Sequence, residues 1–229
     1  MNNDGLVTIK KPNSYISECY KMFRTNLNYI NIDGKYKIFM TTSATVGEGK
    51  STSTCNLAIS LAQVGKKVLL IDCDLRCANI HNIFGLKQTP GLTGLLSTNM
   101  LLSEVVQQPM EIKGLDILCA GLKPPAPAEL LGSEKFKNLI NTASNIYDII
   151  LLDAPPVLYV TDASIISQLV DGVILVVAAN KTKKSVVVNA KKALDKVGAN
   201  IVGVTITKMT IKQKGKYYGE KGKNIIKTK

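Results

Sequence analysis

The chain has 229 residues, 45% hydrophobic and 20% charged, which suits one large domain with a sizeable core. Its longest apolar run, 173–179, is too short to span a bilayer, and residues 1–11 lack the apolar segment of a signal peptide, so a cytoplasmic protein is expected. The formal charge of +12 lies entirely in 181–229, where 14 lysines face Asp195 and Glu220; a body with balanced charges disfavours a nucleic-acid-tracking protein.

In chain order, residues 14–30 place Tyr15, Cys19, Met22, Phe23, Leu27 and Ile30 at three- and four-residue spacings, which predicts an amphipathic helix. Asp33-Gly34 turns the chain out of it. A short β-type run at 37–42 leads into the Gly-containing loop 44–50, and 51–63 reads as a helix closed by Gly65. Residues 68–71 form a buried strand by composition. Further strands are expected near 115–119, 149–152, 173–178 and 201–206, with helices near 133–143, 162–168 and 185–197.

Continuous apolar runs separated by helices are what a doubly covered parallel sheet produces. The expected fold is therefore α/β, with a mostly parallel central sheet and helices on both faces, in one domain over 1–207. From 208 to 229 apolar residues thin out while Lys, Gly and Tyr accumulate, which predicts a flexible basic tail. Cys19, Cys55, Cys73, Cys77 and Cys119 contain no C-x-x-C pair, and the single histidine, His81, cannot build a His-based metal cluster. Tyr15, Tyr20, Tyr29, Tyr36, Tyr147 and Tyr159 read as packing residues.

Three motifs carry chemistry. Ala44-Thr45-Val46-Gly47-Glu48-Gly49-Lys50-Ser51, between a strand and a helix, is a P-loop in which Ala44 replaces the usual first glycine. Its backbone N–H groups, with the helix N-terminus behind them, form a nest for phosphates. Lys50 can reach the β- and γ-phosphates, and the Ser51 hydroxyl can ligate Mg²⁺. Asp72 and Asp74 follow a buried strand, at the sheet edge where ligands bind in such folds. Asp153, followed by Pro155-Pro156, ends another apolar strand, where a P-loop enzyme holds its metal.

Read together, these stretches resemble the cytoplasmic catalytic part of the bacterial protein-tyrosine kinases of capsule and exopolysaccharide operons. The matching segments are TTSATVGEGKSTSTCNLA (41–58), VLLIDCDLR (68–76), His81 with Phe84, AGLKPPAPAELL (120–131), LLDAPPVLYVTDA (151–163) and Tyr217-Tyr218. The resemblance implies ATP- and Mg²⁺-dependent autophosphorylation, in trans, of the C-terminal tyrosines Tyr217 and Tyr218. Residues 45–52, including Thr52, would cradle the nucleotide. Ser51, Asp74 and Asp153 would position the metal, and Asp72 would take the proton of the incoming tyrosine.

The resemblance also implies partners: further copies in a ring-like homo-oligomer, a transmembrane polysaccharide co-polymerase-type adaptor that activates the enzyme at the inner face of the membrane, and a cognate phosphatase. Glu18-x-x-Lys21-x-x-Arg24 resembles the family's oligomerisation motif E-x-x-R-x-x-R, on one face of the first helix. Lys21 weakens that match, because an ammonium pairs less well with a carboxylate than a planar guanidinium does. The alternative is a nucleotide-switched ATPase of the partition or septum-site type. Thr45 argues against it, standing where that type carries a lysine for the partner's nucleotide. Asn180-Lys181 and Thr207-Lys208, at late strand ends, are candidates for contacting adenine.

Overall fold

The structure is a computed structural model and describes residues 5–31, 34–109 and 112–209. Tyr217, Tyr218 and the expected tail beyond 209 lie outside the described residues.

Two helices, α1 (Val7–Lys10) and α2 (Tyr15–Ile30), precede strand β1 (Ile38–Ser43). Helix α3 (Lys50–Ala62) connects it to β2 (Val68–Asp72), and three short helices follow: α4 (Ile80–Phe84), α5 (Gly91–Ser97) and α6 (Leu102–Val105). Then come β3 (Leu115–Leu118), α7 (Pro127–Leu131), α8 (Glu134–Ser144), β4 (Ile149–Asp153) and α9 (Asp162–Ile166), the last extended by a 3₁₀ turn. Strand β5 (Gly172–Ala178), helix α10 (Lys184–Lys196) and strand β6 (Ile201–Thr207) complete the described chain.

The six strands form one sheet in the order β3-β2-β4-β1-β5-β6, every neighbouring pair parallel. Alternate residues along each strand feed two separate apolar layers, the period-two pattern of a sheet covered on both sides. Phe39, Leu70, Ile117, Leu151 and Ile174 join Leu57, Ala58 and Leu61 of α3 on one face. Met40, Leu69, Ile71, Leu152 and Leu175 join Leu92, Phe136, Ile140 and Leu194 on the other.

Helix α3 is buried on nearly every side, because α1 and α2 pack over it while it lies on the sheet. Its fully buried Asn56 is satisfied there: it accepts from the Thr8 amide at 3.1 Å and donates to the Gly5 carbonyl at 2.6 Å. The N-terminal residues are thereby fixed to the helix that carries Lys50. At the other margin, β6 is only half-buried along most of its length, and Val204 and Ile206 are exposed.

Candidate active site

The connection from β1 runs through α3 to β2, and that from β4 runs through α9 to β5, in opposite directions along the sheet. A crevice opens between such strands at their carboxyl ends. The loop after β1 runs into it, and behind it lie Asp72 at the end of β2 and Asp153 at the end of β4, the two aspartates directly paired in register. The resulting cavity, about 730 Å³, is lined by Val46 to Thr52, by Asp74 and Arg76 to Asn79, and by Pro155, Pro156, Tyr159, Val160 and Lys208.

Gly49 starts α3 in the left-handed region, φ +87°, which a side chain would disfavour. The first-turn amides of α3 are the orphan donors of any helix start, and here they belong to a P-loop. Glu48 has a role that its position in the motif does not suggest. Its carboxylate is buried and accepts from the Ala44 amide at 2.9 Å, the Thr45 amide at 3.3 Å and the Thr182 hydroxyl. It therefore braces the loop from within and ties it to the segment after β5. Thr45 is not among the cavity-lining residues.

Lys50 lies with its ammonium 3.0 Å from Asp153 Oδ1, 3.6 Å from Asp74 Oδ2 and 3.2 Å from Ser51 Oγ. Burial alone would penalise this cation, but the Asp153 and Asp74 carboxylates outweigh that and raise its pKa. Asp153 is held from behind by hydroxyls, Thr54 at 3.2 Å and Thr41 at 3.4 Å on Oδ1. Its second oxygen, Oδ2, is buried without a hydrogen-bond partner. Asp153, Asp74 and the Ser51 hydroxyl, grouped around the Lys50 ammonium, are a hard-oxygen donor set that fits Mg²⁺, which uses one or two carboxylates plus phosphate oxygens. Among the described residues no cluster of three or more His, Cys, Asp or Glu side chains would hold a metal unaided.

Asp72 stands apart from this group. It is fully buried, does not line the cavity, and accepts from the amides of Asp74 at 3.2 Å and of Asn79 and Ile80 at 3.1 Å each. Burial, followed by repulsion from Asp153, pushes its pKa up to about 7, against the pull of those amides and of Lys50. Sequence reasoning passed over Arg76, whose guanidinium pairs with the buried Asp162 at the start of α9. Each lay inside a matched segment, but their pairing has no local signature.

Other expectations fare differently. Glu18 and Lys21 form an exposed ion pair at 2.7 Å, while Arg24 turns inward and donates to the Ser60 carbonyl of α3 at 2.8 Å. The helical twist carries the third residue off the shared face, so the three do not present one free surface. Tyr147 is a core residue, donating to Asp116 at 2.7 Å, but Tyr15, Tyr29 and Tyr159 are largely exposed. The first two lie on the outer face of α2, the third on the turn after Pro156. Lys181 and Lys208 both reach the P-loop, with ammonium groups 3.4 Å and 2.6 Å from the Gly47 carbonyl.

A parallel α/β sheet with a phosphate loop, a buried lysine and two carboxylates at its carboxyl edge defines a P-loop nucleotide-binding protein. The family model described as "AAA domain" matches residues 36–197. The chain is 41% identical to "Tyrosine-protein kinase YwqD" of Bacillus subtilis (strain 168), covering 95% of this chain and 92% of that one. It is 37% identical to "Putative tyrosine-protein kinase CapB" of Staphylococcus aureus, over 91% of each. The crystal structure of the chimerical protein CapA2B2 superposes with a TM-score of 0.84 at 35% identity, over 89% of both chains. A septum-site-determining protein from Pyrococcus horikoshii OT3 is more distant, with a TM-score of 0.62 at 25% identity over 73% of this chain and 68% of that one. The chain belongs to the bacterial tyrosine-protein kinases of capsule and exopolysaccharide systems.

Proposed function

We propose that the chain transfers the γ-phosphoryl group of ATP to Tyr217 and Tyr218 of a neighbouring copy. The observation that carries this is the convergence of Lys50, Ser51 and Asp74 on a cavity that also has apolar walls, Pro155, Pro156 and Val160, for a phenol ring, with Asp153 behind it on the Lys50 ammonium. Residues 46–52 hold the phosphates through backbone amides. Lys50, now neutralised by two aspartates, exchanges them for β- and γ-phosphate oxygens as the nucleotide enters. Ser51, Asp74 and Asp153 would hold Mg²⁺, which would supply charge neutralisation of the phosphates. The tyrosine oxygen forms a bond to the γ-phosphorus, the bond to the ADP oxygen breaks, and the phenol proton passes to Asp72.

No helix among the described residues is long and apolar enough to cross a membrane. A transmembrane co-polymerase-type adaptor then brings the enzyme to the inner face of the membrane and activates it. Copies associate through the α2 surface into a ring, and a cognate phosphatase resets the tail. Each phosphate adds about −1.5 to −2 charges to a lysine-rich segment, which weakens its attraction to acidic surfaces.

Mass spectrometry of the full chain after incubation with ATP and Mg²⁺ tests the reading. Phosphate on Tyr217 or Tyr218, absent in Lys50→Met, is expected. ATP hydrolysis without any phosphotyrosine would instead assign the chain to the septum-site type of switch. With the adaptor's cytoplasmic tail added, the phosphotyrosine yield should rise.

A further inference from the structure

We propose that Lys208 is a further nucleotide-binding residue of this site, meeting the phosphate chain from the rim of the cavity. The inference rests on the crevice being an ATP site and adds a ligand to it from the far end of the sheet. Lys208 lines the same cavity as Gly47 to Thr52. Its ammonium donates to the Gly47 carbonyl at 2.6 Å, so the charge is already delivered to the phosphate loop.

That delivery is built into the fold. Thr207, the last residue of β6, donates its hydroxyl to the Glu48 carbonyl, and its side chain lies against Gly49. The next residue, Lys208, takes φ +55°, a left-handed backbone that side-chain-bearing residues rarely adopt, and this turn accompanies its reach back over the loop. Lys181 sits beside it on the Val46 and Gly47 carbonyls but is not among the cavity-lining residues, so it clamps the loop and does not face the ligand.

An ammonium has three donors and a carbonyl engages one of them. A phosphate oxyanion is a stronger acceptor than a carbonyl, because the bond is charge-assisted. Lys208 can therefore keep Gly47 and gain a phosphate oxygen without moving far. Thr45 leaves the loop without a cation of its own ahead of Lys50, and Lys208 supplies one in cis from β6.

Lys208 is exposed, so its substitution leaves the folded body intact. The full-length chain and its Lys208→Gln and Lys208→Arg variants are titrated calorimetrically with ATP, tripolyphosphate and adenosine. Lys208→Gln should weaken ATP and tripolyphosphate about tenfold or more, the scale of one lost charged hydrogen bond, and leave adenosine unchanged. Lys208→Arg should recover most of the loss. Unchanged ATP and tripolyphosphate affinity in Lys208→Gln overturns the proposal. So does an equal loss for adenosine, which would mark a purely structural role. If the wild-type chain shows the expected binding pattern yet forms no phosphotyrosine, the kinase reading fails and the assignment of Lys208 stands.

Discussion

Arg76 and Asp162 meet in a bidentate pair, Nε 2.9 Å from Oδ2 and Nη2 3.0 Å from Oδ1, which ties the loop after β2 to the start of α9. The pair therefore links the loop that carries Asp74 to the segment that follows Asp153. Asp162 is fully buried and Arg76 partly exposed, so the pair is worth more than a surface contact.

Arg76→Ala leaves a buried carboxylate unpaired and is expected to destabilise the fold by about 2–3 kcal/mol, the cost of a lost hydrogen bond to a charged group. Denaturant unfolding checks the size. Arg76→Lys should recover only part of it, because an ammonium cannot span both carboxylate oxygens. Full recovery by lysine would show that charge alone matters.

With Asp72 as the proposed proton acceptor, its pKa, raised to about 7 by burial and by Asp153, predicts a pH dependence. A base must be deprotonated to work, so phosphotransfer should rise as pH rises through about 7 and level off above it. Asp72→Asn should remove that limb and slow transfer about a hundredfold or more. Initial rates at saturating ATP across this range, for both proteins, are the measurement. A limb that survives in Asp72→Asn would move the proton acceptor to another group.

Arg24 contributes to the fold through Ser60 of α3. Because it donates to both the Ser60 carbonyl at 2.8 Å and the Ser60 hydroxyl at 3.1 Å, Arg24→Ala should cost about 1 kcal/mol in the isolated chain. Lys21→Arg, which restores the fork geometry at an exposed position, should instead shift sedimentation towards larger assemblies with unchanged unfolding. No change in sedimentation would remove this face of α2 from the interface.

Gly121 leaves no room for a side chain. A Cβ there would overlap Thr93 Oγ1 and the Pro90 carbonyl oxygen, and φ is +84°. The 119–121 segment is laced to α5 by the Leu92 amide on the Cys119 carbonyl at 2.7 Å and the Thr93 amide on the Ala120 carbonyl at 3.0 Å. Gly121→Ala should destabilise by about 2 kcal/mol or more, read as a drop in the unfolding midpoint.

What the sequence disclosed and what it concealed follow from the range of each interaction. The P-loop, the buried strands at 68–71 and 149–152 and the long helices were legible, because periodicity and motif spacing are local. The position of β1 between β4 and β5 was not, since pairing order depends on packing across the whole sheet. The helices α1 and α4 to α7 went unread because four or five residues, or a glycine-rich turn, show no clear period. Glu48 was legible as part of the P-loop, but the brace its carboxylate makes was not, because its partner Thr182 lies 134 residues away. Arg24 and Ser60 are separated by 36 positions, and nothing in E-x-x-K-x-x-R announces that the last residue faces inward.

The exposed margin formed by β6 has a consequence for the order in which the molecule comes apart. Marginal strands with half-solvated side chains open before the interior of a sheet does. Through Thr207 and Glu48, the first segment to fray is also a wall of the phosphate cradle. On warming, the chain should therefore lose its grip on ATP while most of its strands are still paired, and bound nucleotide should in turn slow hydrogen exchange along that outermost strand.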